Sequence, residues 1–211
     1  MTDAWNVLRA ALRDTWNDLL TTALCNLLWI LFSLLVVTAP PATLALFYVG
    51  NRIAHGEPTD AGDFLRGLRR YFGVGWRWGL LHGSLLFFLV GDVILTGQLS
   101  QSAVARLAQG FYLAALGVWL LLQLYLLPFL FEQERPSVRL ALRNGAAMLG
   151  GNLFFSVALA LLVAGVLLAG TLLFLISFAA GGVFLALVGN HAVLNRLSAY
   201  DGVKRETWDV R

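Results

Sequence analysis

The chain has 211 residues, 59% hydrophobic and only 13% charged, with a formal net charge of +3 and a mean hydropathy of +0.75. Soluble domains carry roughly 25% charged residues, so a wholly soluble fold is excluded and lipid must solvate part of the surface. The basic excess fits arginines that set membrane topology and touch anionic head groups, with no nucleic-acid partner, and the single Cys25 excludes an intrachain disulfide framework or a cysteine-based metal site.

Residues 1–18 are mixed in character and include Asp3, Asp14 and Asp18. A signal peptide needs a basic start, a short apolar stretch and small residues at a cleavage site, so this segment is expected to be retained. Trp5, Leu8, Leu12 and Trp16 fall at helical spacing, which predicts an interfacial helix with tryptophan anchors.

A membrane-spanning helix needs about 20 apolar residues, at about 1.5 Å of rise each. The first charge-free window is 19–39, and Pro40-Pro41 is expected to end it. Residues 42–50 are apolar but too few to cross alone. They read either as a surface helix or as the returning arm of a re-entrant hairpin, which needs cover from protein or water.

Residues 51–77 form an arginine-rich connector. Glu57-Pro58-Thr59-Asp60 predicts a turn into a helix N-cap. The helix that follows, from about Asp63 to Tyr71, has a basic face of Arg66, Arg69 and Arg70 and an apolar face of Phe64, Leu65, Leu68 and Phe72. Helices that lie on a membrane surface are built this way.

Further spans are predicted over 78–95 and 107–131, separated by a short polar loop at 96–106, with Pro128 near the end of the third. An amphipathic connector, 132–152, contains Arg139 and Arg143. The uncharged run from Leu153 to Gly189 has 37 residues (189 − 153 + 1), which fits two crossings, about 153–170 and 171–189, with a turn near Gly170-Thr171. Residues 190–211 form a polar tail. The expected fold is therefore an all-α polytopic transmembrane helix bundle in a single membrane domain, 1–211, with about five spans, a re-entrant or surface segment, and amphipathic interfacial helices.

A weak internal echo runs through the connectors. Glu57-Pro58 followed by Phe64–Gly73 resembles Glu134-Arg135-Pro136 followed by Leu140–Gly145, about 77 residues later, and each leads into a span. Repeated halves are common in transporters.

Lys and Arg number 2 in residues 1–18, 5 in 51–77, 1 in 96–106, 3 in 132–152 and 4 in 190–211. Five crossings divide them 12 against 3, with the C-terminus on the basic, cytoplasmic side. If 42–50 returns through the membrane, the N-terminus joins that side and the division becomes 14 against 1.

Gly75, Gly79 and Gly83 recur every four residues and read as a close helix-packing face, with Gly181 and Gly182 in a similar role. Asp92 is the most costly residue to place in apolar sequence. With His82, Asn26 and Gln123 it completes the candidate intramembrane polar set; Tyr125, Asn152, Asn190 and His191 lie in or beside spans. No zinc-helix, nucleophile-elbow or phosphate-loop motif is present, and the three histidines lack ligand spacing. The reading is of a non-enzyme with no cofactor and no metal.

Asn26-Leu27-Leu28-Trp29, then Pro40-Pro41-Ala42-Thr43 and Ala45, resemble the head of the YesL-like family, bacterial membrane proteins grouped as a domain of unknown function. Phe64, Phe72 and Pro128 are also similar. The resemblance implies about five spans in the cytoplasmic membrane and an association with oligosaccharide importers; besides the lipid bilayer, the expected partner is an importer subunit or else a second copy of the chain. It carries over no binding or catalytic residue. An accessory or permease-like role in oligosaccharide uptake is the expectation, with an autonomous small transporter or channel, or a membrane scaffold, as alternatives.

Overall fold

A computed structural model describes residues 2–99, 102–172 and 182–198, and these are helical throughout apart from short turns. Nine helices occur among them: α1 (Thr2–Asn17), α2 (Leu19–Ser33), α3 (Ala39–Ala54), α4 (Ala61–Arg70), α5 (Phe72–Leu99), α6 (Ala103–Phe129), α7 (Val138–Gly151), α8 (Leu153–Leu172) and α9 (182–198). Two of them, α5 and α6, are long and apolar enough to cross a membrane. α7 and α8 together make a third such stretch if counted as one, although they meet at a bend of 97°.

The window 19–39 is not one helix. α2 ends at Ser33, the chain turns through 34–38, and Pro40 and Pro41 lie in the first turn of α3. They open a helix instead of closing one, because first-turn amides have no intrahelical acceptor and proline's fixed φ already suits the helix. Thr38 stabilises the turn by donating its hydroxyl to the Phe32 carbonyl at 2.5 Å. Trp29 Nε1 donates to Thr43 Oγ1 at 3.2 Å, so α2 and α3 run back along each other. Leu34, Leu35, Val36 and Val37 at the tip are between 61% and 79% exposed.

Residues 42–50, read as a surface helix or a returning arm, belong to α3, half of whose residues are buried. Ala42, Leu44, Ala45 and Val49 are fully buried. These residues are therefore packed inside the helix assembly and do not form a peripheral surface helix. Around α3 pack α2, α4, α5, α6 and α9. A Cβ on Gly50 would lie 2.8 Å from Ala186 Cβ, and one on Gly189 would lie 3.0 Å from both the Leu124 carbonyl oxygen and Pro128 Cγ. α9 is therefore wedged between α3 and the end of α6.

Several boundaries move. α5 and α6 run to Leu99 and from Ala103, shortening the loop expected at 96–106, and α5 begins at Phe72 rather than 78. α8 continues to Leu172, past the expected turn at Gly170-Thr171. The first nine residues of the expected polar tail are helical. Residues 173–181, with Gly181 and the head of the fifth predicted span, and 199–211 lie outside the described residues.

α1 buries Ala4, Val7, Leu8 and Ala11, largely against α8, while Trp5, Leu12 and Trp16 stay exposed. The tryptophan stripe therefore faces outward, and Leu8 does not belong to it. Arg196 to Asp3 at 2.9 Å and His191 to Asp14 at 2.8 Å join α1 to α9.

The echo in the connectors has a structural counterpart. α4 and α7 begin after N-caps Asp60 and Ser137, about 77 residues apart. A Cβ on Gly67 would lie 2.8 Å from the Tyr48 ring of α3, and one on Gly145 3.5 Å from Tyr125 Cβ of α6. Each amphipathic helix thus folds back on the helix before it, against a tyrosine, and leads directly into an apolar helix.

Candidate functional site

The α5–α6 pair brings two of the candidate polar residues together. Trp78 and His82 are one turn apart on α5, and Trp119 and Gln123 one turn apart on α6. Trp78 Nε1 donates to Gln123 Oε1 at 3.0 Å, Gln123 Nε2 donates to the Trp119 carbonyl at 3.3 Å, and Trp119 Nε1 donates to His82 Nδ1 at 3.1 Å. The imidazole stacks between the two indoles, with ring centroids 5.0 Å from Trp78 and 6.0 Å from Trp119. An indole N–H can only donate, so His82 Nδ1 accepts and the neutral ring carries its proton on Nε2. Both tryptophans are buried. The Trp-x-x-x-His and Trp-x-x-x-Gln spacings are the signal that could have pointed to Trp78 and Trp119 as members of this cluster.

Asn26 and Asp92 are elsewhere. Asn26, 1% exposed on α2, accepts from the Gly182 amide at 2.9 Å, where α9 begins. Gly182 sits so close to Asn26 and Leu46 that a side chain there would collide. Asp92 lies seven residues before the end of α5, about 10 Å along the helix. It is half-buried, and its carboxylate makes no hydrogen bond or ion pair among the described residues.

Gly75 and Gly79 are packing glycines and Gly83 is not. A Cβ at Gly75 would lie 2.7 Å from Pro41 Cα, and one at Gly79 would lie 2.5 Å from Pro40 Cβ, whereas Gly83 has nothing within 4 Å. The glycine face therefore ends after two members. Its partner is the Pro40-Pro41 start of α3, followed by buried Ala42 and by Thr43, which accepts from Trp29. Tyr125 bonds to Ser156 across α6 and α8 at 2.6 Å.

A second polar cluster, not anticipated from sequence, closes the C-terminal end of α3. Asn51 Nδ2 donates to Glu132 Oε1 at 2.8 Å and to Asn190 Oδ1 at 3.0 Å, tying α3 to the turn after α6 and to α9. His55 Nε2 lies 3.6 Å from Glu132 Oε1. These partners are 81 and 139 residues apart in sequence, and no local spacing signals them. Beside them, Asp63 bridges Arg52 at 3.2 Å and Arg66 at 2.6 Å. Burial pushes the Asp63 carboxyl upward, but the Asp60 amide and the two arginines outweigh it and hold it below the usual carboxylate range.

Among the described residues no group of three or more His, Cys, Asp or Glu side chains is placed to hold a metal. The clefts are open: the groove between α1 and α9 measures about 370 Å³ and is lined by Asn6, His191, Asn195 and Ser198.

Residues 22–93 match the family described as "Protein of unknown function, DUF624". The matched third of the chain runs from α2 into α5 and contains the α2–α3 hairpin, the Pro40-Pro41 contact with Gly75 and Gly79, and the Asp63 bridge. No curated protein and no solved structure matches the chain.

Proposed function

We propose that this chain is a multi-pass protein of the bacterial cytoplasmic membrane that serves as an accessory subunit of a larger membrane assembly. One observation carries the reading. Four polar contacts in the apolar segments are bonds between helices, with Asp92 outside them: His82 with Trp119, Trp78 with Gln123, Asn26 with the Gly182 amide, and Tyr125 with Ser156. In lipid such bonds hold helices together where no hydrophobic force can. These groups therefore serve cohesion, not a substrate path.

In the topology we favour, α2 and α3 form a hairpin entered from the cytoplasmic face, α5 and α6 cross, and the run 153–189 crosses twice. Fourteen of the fifteen Lys and Arg then lie in the cytoplasm, all but Arg106. The cluster of Asn51, Glu132 and Asn190 supports this arrangement, since it gathers the ends of α3 and α6 with α9.

Oligosaccharide uptake is the process we assign to the assembly, resting only on the resemblance of Asn26–Trp29 and Pro40–Ala45 to YesL-like proteins. The test is affinity purification of the tagged chain from membranes of cells grown on complex glycans. A sugar permease or its ATPase should co-purify, and deletion of the gene should slow growth on those glycans. Unchanged growth with no importer subunit recovered would overturn the assignment.

The repeat of α3–α4 in α6–α7 favours one competing reading, an autonomous small transporter. Flux in proteoliposomes that is lost in His82→Ala and Asp92→Asn variants would support it in place of the accessory role.

A further inference from the structure

The two amphipathic helices carry charge that the described chain does not balance. In α4, Asp60 and Asp63 hold Arg66 at 3.3 and 2.6 Å. Arg69 and Arg70 on the same helix are exposed and make no ion pair among the described residues, and Arg70 lies over the Tyr71 ring, at 5.5 Å. In α7, one repeat later, the acids are missing. Ser137 and Leu140 stand where Asp60 and Asp63 stand in the first copy. Arg143, the counterpart of Arg66, is exposed without an ion pair among the described residues, and so is Arg139.

Exposed apolar side chains stand beside these guanidinium groups: Leu65 and Phe72, each 40% exposed, at α4, and Leu140, 43% exposed, at α7. Both helices pass within two residues into an apolar helix. Guanidinium groups with apolar neighbours at the entry to membrane helices match a surface that is anionic at its phosphates and apolar just beneath. A planar guanidinium donates two parallel N–H groups to one phosphate, which an ammonium cannot do. An acidic soluble protein would not call for the apolar flank or for a duplicate of the arrangement.

We infer that Arg139 and Arg143 of α7, and more weakly Arg69 and Arg70 of α4, hold the phosphate groups of anionic phospholipids. α7 is the stronger site because it contains no acid to compete for its arginines.

The experiment uses the full chain in neutral detergent, titrated with phosphatidylglycerol, phosphatidylcholine or inorganic phosphate. Bound lipid is counted by native mass spectrometry and the thermal midpoint is followed in parallel. Phosphatidylglycerol should be retained and should raise the midpoint, with phosphatidylcholine and phosphate having little effect and high salt weakening the response. Each arginine removed from α7 should weaken retention about fivefold and each removed from α4 less, so Arg139→Gln/Arg143→Gln should lose more than Arg69→Gln/Arg70→Gln. Circular dichroism shows whether each variant stays folded. Equal retention of the two lipids, an equal response to inorganic phosphate, or full retention by both folded double variants would overturn the inference.

Discussion

Gly75 and Gly79 lie where a backbone must pass the start of another helix, and Gly83 does not. Gly75→Ala would drive a methyl group against the Pro41 backbone, which cannot yield as a flexible side chain can. A loss of about 1–3 kcal/mol is expected, seen as a lower thermal midpoint in detergent. Gly83→Ala meets open space and should be neutral, or stabilising by up to about 1 kcal/mol through helix propensity. Asp63 is 1% exposed and does two jobs, closing the capping box with Asp60 and bridging Arg52 to Arg66. Arg66 is 61% exposed, so solvent screens part of the bridge. Asp63→Asn should cost about 1–3 kcal/mol. Because the folded carboxyl is held below its unfolded value, its contribution is present above about pH 4 and is lost as pH falls through the lower folded value. Acid titration of thermal stability should therefore show a loss in the wild type that is reduced in Asp63→Asn.

The α2–α3 hairpin shows what an apolar sequence reveals and what it hides. Its composition marked both arms as membrane material, but the position of the break was read from Pro40-Pro41, seven residues after the helix ends at Ser33. Proline is compatible with a helix start as well as a stop, and only the Thr38 turn and the Trp29–Thr43 bond decide between them. The capped start of α4 was legible because its turn and cap residues are local in sequence. The tip offers a direct probe, since the native Cys25 is buried and will not react. In membranes, Val36→Cys should resist a membrane-impermeant maleimide from both sides, whereas Glu57→Cys should label readily. Rapid labelling of Val36→Cys would mean that the tip lies in water.

At the scale of the whole molecule, the echo between connectors is visible because proline and glycine recur 78 residues on and the cap 77. Its packing consequence is not, since Gly67 on Tyr48 and Gly145 on Tyr125 depend on how each helix folds back. The candidate site divided in the same way. His82 and Gln123 converge through partners one turn away, while Asn26 meets the Gly182 amide, a contact that sequence distance conceals, and Asp92 joins neither. The arrangement predicts that the turns after α3 and α6 open to one side, since Asn51 is bonded to Glu132. Glu57→Cys and Glu134→Cys should label from the same face in sealed vesicles of known orientation. Labelling from opposite faces would refute this topology.

The wedge made by α9 also bears on the order in which the protein can be made. Asn51 waits for Asn190, Asp14 for His191, and the close face of Gly50 for Ala186. Asn51 has Glu132 earlier, but each of these contacts with α9 forms only when that helix leaves the ribosome. A chain stopped after residue 181 should be cleared by membrane proteases, with a shortened half-life in pulse-chase, and supplying 182–211 as a separate peptide should lengthen it. The last described helix then acts as a checkpoint on synthesis as well as a structural wedge.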